Sequence, residues 1–84
     1  MELKFTEYFK NSVTKRRPEL VGYVEFVLQN SVFEEIEEEG RMRYYAFIPE
    51  LGTWVRLVED IDGSIHNIMT DSDFGIRWEK GKLL

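Results

Sequence analysis

Apolar residues recur every fourth position near the start of the chain. Phe5, Phe9 and Val13 form this series with polar residues between them, a pattern typical of a helix with one buried face. Thr6 suits the N-terminal cap, and the cations at residues 15–17 suit the C-terminal end. The pattern predicts a short strand at residues 3–5, followed by a helix from residue 6 to about residue 15.

A second helix is predicted over residues 18–29. Pro18 ends the first helix and fits the first turn of the next, because proline has no N–H and a helix-like φ. Gly22 weakens the interior of this helix, and close packing against a neighbouring element is the explanation that we favour. Asn30 is predicted to end the helix in the left-handed conformation. The apolar stripe consists of Leu20, Val24, Val27 and Leu28.

The middle of the chain alternates between apolar and polar residues, as strands with one buried face do. If the predicted strands at residues 41–48 and 53–59 are joined by a four-residue loop, Tyr45 lies opposite Arg56 and Arg43 lies opposite Val58. This register places both arginines on one face of the sheet. The face of His66 stays open, because the next loop could hold two, three or four residues. The predicted strands are residues 32–39, 41–48, 53–59 and 65–70, with turns at Gly40, residues 49–52 and residues 62–63.

These elements predict one α+β domain over residues 1–84, with two N-terminal helices packed on an antiparallel sheet of about four strands. The core side of the second strand is predicted to carry Met42, Tyr44, Ala46 and Ile48. Residues 76–84 are interpreted as a C-terminal extension. Their loose alternation through Ile76, Trp78 and Lys80 indicates an added edge strand or an arm that docks a partner.

Composition narrows the class of protein. Apolar residues make up 43% of the chain, enough for a small domain to bury a core, and there is no cysteine to form a disulfide. The sequence contains no spaced set of metal ligands and no glycine-rich phosphate loop, so we expect neither a metal nor another cofactor. No apolar run has the length of a signal sequence or a membrane span, which predicts a cytoplasmic protein without membrane contact.

Charges are segregated along the chain, whose net charge is −5. Residues 1–17 hold five cations and two glutamates, whereas residues 18–40 hold seven glutamates and no cation. A negative chain disfavours nucleic acid as a partner, because phosphates attract basic surfaces. Segregated charge would allow one face to dock an anionic partner and another to dock a basic partner. The alternative is that these charges are solvated surface.

An acidic cluster occupies the predicted tip of the first hairpin. Three interpretations are open: a catalytic carboxylate pair, a solvated surface that protects the sheet edge, or a surface for a basic partner. The cluster consists of Glu34, Glu35, Glu37, Glu38 and Glu39.

Five segments resemble a family of small bacterial and cyanobacterial proteins: KFTEYF, RRPEL, GRMRYYAFIPELG, VRLVED and IHNIMTDSDF. The resemblance covers about residues 3–75. Members often occur beside a second, very small protein, and their element order is similar to that of the RelE/ParE group of ribonuclease and gyrase toxins. The resemblance implies a toxin, or a toxin-derived protein, of a toxin–antitoxin pair. Its partners would be a small cognate antitoxin and RNA or the ribosome.

The resemblance also implies a site for metal-independent endoribonuclease action on mRNA. Arg43 and Arg56 would hold the scissile phosphate, because a guanidinium binds phosphate oxygens through two hydrogen bonds. His66 would transfer protons during attack by the ribose 2′-hydroxyl, since imidazole exchanges protons near neutral pH. A structural role for His66, and cross-strand ion pairs for both arginines, are the alternatives. The implied substrate-binding residues are Arg41, Asn67 and Asp71, and Phe74 is also matched.

The chain departs from the family pattern after Asp71, where the family usually has a basic residue and this chain has Ser72 and Asp73. The departure removes one phosphate contact and favours a diverged or inactive relative. A second hypothesis is therefore a non-catalytic module that binds a partner or forms homodimers through a sheet edge or an aromatic surface. Five aromatic side chains could stack on bases or could instead form core or an interface. They are Tyr44, Tyr45, Phe47, Trp54 and Trp78.

Overall fold

The structure is a computed structural model that describes residues 2–81. Short helical segments precede a four-stranded antiparallel sheet, and one more helix follows the sheet. The strands lie side by side in chain order, so the α+β class and the four-stranded antiparallel sheet are confirmed. The elements are a π-helical segment (Phe9–Val13), α1 (Thr14–Arg16), α2 (Pro18–Val21), α3 (Val24–Asn30), β1 (Phe33–Ile36), β2 (Met42–Ile48), β3 (Thr53–Glu59), β4 (Ile65–Thr70) and α4 (Ser72–Glu79).

The first predicted helix forms as one helical run over residues 7–16, π-helical in its middle, whereas the second predicted helix is broken. Thr6 does cap the first segment, because its hydroxyl accepts a hydrogen bond from the backbone N–H of Phe9 at 3.1 Å. The second helix breaks at Gly22, where the chain forms a turn between α2 and α3. A Cβ at Gly22 would meet no atom within 4 Å, so our close-packing explanation is wrong. The low helix propensity of glycine accounts for the break.

Asn30 does not end α3 in the predicted left-handed conformation. The following residue, Ser31, is already extended, and no residue except glycine has a positive φ among residues 2–81. The Asn30 side chain instead donates a hydrogen bond to the carbonyl of Phe26 at 2.9 Å. The amide thus folds back on its own helix through a side chain-to-backbone hydrogen bond, a role that competes with the left-handed cap.

The predicted strand at residues 3–5 is reduced to a single parallel bridge between Phe5 and Ile65. The backbone of Ile65 donates to Lys4 at 2.7 Å and accepts from Thr6 at 3.0 Å. This segment lies along the outer edge of β4. One of the two sheet edges is therefore partly covered by the chain itself.

The register of the central hairpin matches the sequence prediction. Tyr45 pairs with Arg56, and Arg43 pairs with Val58, which places both arginines on one face. β1 is shorter than predicted, because it ends at Ile36 and residues 37–40 form the hairpin tip. Gly40 turns the chain there with a φ of 96°.

The predicted core face of β2 packs beneath the helices that precede the sheet. Ala46 and Ile48 are fully buried there, together with Val55 and Leu57 of β3. α3 contacts both strands, while the π-helical segment contacts β4. The other members of this aliphatic core are Phe9, Val13, Leu20, Val24, Val27, Ile65 and Ile68.

The opposite face of the sheet is covered by α4, which the sequence interpretation missed. Residues 76–79 are helical, so the edge-strand alternative is wrong for them, while the docking arm stays a prediction; residues 82–84 lie outside the described part. Asp71 starts the helix by accepting a hydrogen bond from the Phe74 N–H at 3.0 Å. Phe74 and Trp78, one turn apart, then face the aromatic side chains of the sheet.

No helix within residues 2–81 is both long enough and apolar enough to cross a lipid bilayer.

Candidate functional site

The sheet arginines and α4 line an open cavity of about 510 Å³. Arg43 and Arg56 project from the face that α4 covers, because their cross-strand partners Val58 and Tyr45 share that face. Arg77 reaches the same cavity from α4, two turns after Asp71. The lining consists of Arg43, Arg56, Thr70, Asp71, Ser72, Asp73 and Arg77. We call this group the arginine cavity.

Arg43 is held by two carboxylates of its own chain. Its Nε donates a short hydrogen bond to Glu37, and its Nη1 lies 3.8 Å from Oε2 of Glu35. The hydrogen bond to Glu37 raises the pKa of the Arg43 guanidinium above its usual value. The Tyr45 hydroxyl donates to the same Glu35 oxygen at 3.1 Å. Glu35 and Glu37 thus project from the first hairpin into the arginine side of the sheet.

Arg56 contacts Asp71 and its cross-strand partner on β4, Met69. Its Nη1 lies 3.6 Å from Oδ2 of Asp71, and its Nη2 contacts the sulfur of Met69. The Arg56 Nε is buried and has no hydrogen-bond partner among residues 2–81. Asp71 therefore has two roles, because its other oxygen caps α4.

Arg41 and Arg77 differ in their surroundings. Arg41 pairs with Asp60 across the sheet end, with Nε 3.4 Å from Oδ1. The Arg77 guanidinium lies over the Phe74 ring at 5.6 Å, a cation–π distance. No ion pair joins Arg77 to another residue of the part that the structure describes.

His66 and Asn67 contact the N-terminal region instead of the arginine cavity. The His66 ring stacks on Tyr8 with centroids 5.0 Å apart, and its Nδ1 lies 3.3 Å from the Thr6 hydroxyl. Asn67 accepts a hydrogen bond from Nη1 of Arg17 at 3.2 Å. Neither residue is part of the cavity lining. Of the six residues predicted as a site, the structure brings together Arg43, Arg56 and Asp71.

The cavity chemistry follows from this arrangement. Arg43 and Arg56 are paired with carboxylates of the chain, Arg77 has no ion pair among residues 2–81, and the titratable lining consists of arginines and aspartates. Arginine holds its proton too tightly for acid–base work near neutral pH. Phosphate that bound Arg43 and Arg56 would compete with Glu37 and Asp71 for their guanidinium groups. No group of three His, Asp or Glu side chains within residues 2–81 is arranged to hold a metal ion.

A second depression lies on the helix side of the sheet. Tyr44 donates a hydrogen bond to Oε1 of Glu59 at 3.1 Å, and burial, followed by that bond, raises the pKa of the Tyr44 hydroxyl to about 12. The depression measures about 510 Å³. Tyr44 and Glu59 line it, together with residues of the N-terminal segment and of α3.

The acidic tip and β1 form a third surface. Glu35 and Glu37 turn toward Arg43, whereas Glu34, Glu38 and Glu39 are exposed and form no ion pair with another of residues 2–81. β1 is the outermost strand of the sheet, and Ile36 on it is 67% exposed. This surface therefore combines an open strand, an exposed aliphatic side chain and uncompensated negative charge.

Sequence reasoning missed Arg77 and the capping role of Asp71. The signal was present, because Asp71 precedes a segment with Phe74, Arg77 and Trp78 at helical spacing. The loose two-residue alternation within residues 76–80 concealed that spacing. Glu37 as the partner of Arg43 could not be found this way, since it depends on how the hairpin tip folds back.

No protein-family model, curated protein or solved structure matches this chain.

Proposed function

We propose that this protein is a non-catalytic interaction module that acts by binding a partner protein. One observation carries the proposal: the two arginines suited to holding a phosphate are each engaged by carboxylates of the same chain. A site that binds an anion gains most when its cations are otherwise unsatisfied. Here Glu37 already accepts a hydrogen bond from Arg43, and Asp71 lies 3.6 Å from Nη1 of Arg56.

The surroundings of His66, the candidate for proton transfer, support the same proposal. The His66 ring stacks on Tyr8 and lies within hydrogen-bond distance of the Thr6 hydroxyl. His66 is not part of the arginine cavity lining. A general acid or base must come within hydrogen-bond reach of the proton that it moves. Joint action of His66 with Arg43 and Arg56 would require a rearrangement of β4 or of the N-terminal segment.

The second candidate is a RelE/ParE-like toxin that cleaves mRNA and is neutralised by a small antitoxin lying over the arginine face. The convergence of Arg43, Arg56 and Arg77 on one cavity favours it. Within this candidate, Arg41, Asn67 and Asp71 would bind substrate and His66 would move protons. The cytoplasm is the proposed compartment for either function.

The two candidates differ in what expression of the chain does to a bacterium. Growth and translation would be followed under tight induction of the wild type, Arg43→Ala/Arg56→Ala and His66→Ala. Arg16→Ala, at an exposed cation remote from the sheet, is the matched control. We expect no arrest from folded, abundant wild-type protein. Arrest that persists in the control and disappears in the sheet variants would establish the toxin instead.

A further inference from the structure

The outer edge of β1 is open. β1 pairs with β2 on one side and, in the four-stranded order, has no strand on the other. The Glu37 N–H donates to the Arg41 carbonyl at 2.7 Å, which makes Glu37–Arg41 a hydrogen-bonded pair. Every second pair from there is Glu35–Arg43 and then Phe33–Tyr45. Hydrogen-bonded pairs alternate along an antiparallel ladder, so the backbone groups of Glu34 and Ile36 point away from β2. Among residues 2–81, no backbone bond from outside the sheet reaches these two residues.

The side chains on this edge are as exposed as the backbone. Glu34 and Ile36 share the sheet face on which the helices pack, but α3 contacts β2 and β3 and leaves β1 uncovered. Ile36 is 67% exposed, and Val32, just before the strand, is 50% exposed. A long side chain from an added strand could pack beside Ile36.

The charge of this edge decides which strand can be added. Glu34, Glu38 and Glu39 are exposed and have no cationic partner within the described residues. A second copy would bring these glutamates against their equivalents, and like charges across a strand pair are destabilising. Acidic residues on an edge thus block self-association while leaving pairing with a basic strand favourable.

We propose that β1 accepts an extended, basic segment of a partner protein as a fifth strand, bonded to the backbone of Glu34 and Ile36. This inference rests on the proposed function as an interaction module. Side chains two residues apart on the partner strand lie on one face of the sheet. On the face that carries Glu34 and Ile36, one of them would lie beside the Glu34 carboxylate and the next beside the Ile36 side chain. The partner strand therefore carries lysine or arginine and an aliphatic residue in alternation on that face, and backbone bonds supply the remaining affinity.

The test uses a capped peptide with the repeat Lys-Thr-Val-Thr, added to the full chain and followed by NMR. We expect amide hydrogen exchange at Glu34 and Ile36 to slow at least tenfold on peptide addition, with little change at β3. A peptide with the repeat Glu-Thr-Val-Thr should produce no protection. The variant Glu34→Lys/Glu38→Lys/Glu39→Lys should lose the effect, whereas Glu19→Lys/Glu50→Lys/Glu79→Lys, with the same change of charge at other exposed sites, should retain it.

Several results would overturn the proposal. These are no protection by the lysine peptide, equal protection by both peptides, or equal loss in both charge variants. Protection of Glu34 and Ile36 without peptide, in protein that light scattering shows to be dimeric, would assign the edge to a second copy. The induction assay separates these failures from failure of the proposed function, because growth without arrest leaves the module intact even where β1 is not its docking edge.

Discussion

Helices pack on both faces of the sheet, but the side chains beneath them differ in kind. Under α3 and the π-helical segment, the contacts are shared among many small aliphatic residues. Under α4, they converge on Phe74, whose ring stacks on Tyr45 at 4.0 Å and also meets Trp54 and Trp78. The first layer is a distributed core, and the second centres on the Phe74 ring, with Trp78 also in contact with Trp54. The arginine cavity belongs to the second layer.

The largest expected effect comes from Phe74→Ala. Removing a buried phenylalanine costs about 3–5 kcal/mol, and Phe74 is fully buried. Because α4 is anchored mainly by this ring, we expect α4 amides to exchange freely while α3 amides stay protected in whatever fraction remains folded. Leu57→Ala, on the aliphatic face, costs about 2–5 kcal/mol. It should lower protection throughout the domain, and equal patterns in the two variants would refute the distinction between the layers.

Gly75→Ala should destabilise the α4 layer by about 1–3 kcal/mol, because an added Cβ would lie 2.6 Å from Cδ1 of Trp54. The matched change is Gly22→Ala, where a Cβ meets nothing within 4 Å and φ is −68°. It should stabilise by about 0.4–1 kcal/mol. Urea unfolding of both variants measures the two signs, and a shift of the same sign in both would contradict the packing described for α4.

The central hairpin of the sheet could be predicted from sequence, because its signals are local. The alternation of β2 and the four-residue loop after it were sufficient to define the Arg43 and Arg56 register. α4 could not be inferred from alternation, because its cap and its two anchoring aromatics follow a different period within ten residues. The position of His66 depended on the turn before β4, with a register shift between Val58 and Glu59. Such an irregularity has no signal in a single sequence.

Asp71 both caps α4 and pairs with Arg56, and two substitutions can separate these roles. Asp71→Ala removes both the α4 cap and the Arg56 pair, with a cap loss of about 0.5–2 kcal/mol. Asp71→Asn keeps a capping oxygen and removes the charge, so it should cost less. Thermal unfolding compares the two, with Asp73→Asn at an exposed neighbour as the control. Equal losses from both Asp71 substitutions would mean that the cap contributes nothing.

The smallest effect is expected at Tyr44, on the helix side. Its pKa is raised to about 12 in the folded protein, so the unfolded chain loses the phenolic proton first as pH rises. The folded state is therefore progressively disfavoured between about pH 10 and pH 12. Tyr44→Phe should flatten this part of the stability profile in urea unfolding. An unchanged profile would show that Tyr44 titrates alike in both states.

The central claim is that Arg43 and Arg56 are neutralised by carboxylates of their own chain. Its most direct test is fluorescence anisotropy of a labelled single-stranded RNA oligonucleotide, titrated with protein at low salt. We predict no binding by the wild type and measurable, salt-sensitive binding by Glu37→Gln/Asp71→Asn, in which Arg43 and Arg56 lose their main partners. Wild-type binding that weakens with salt and is abolished by Arg43→Ala/Arg56→Ala would contradict the claim.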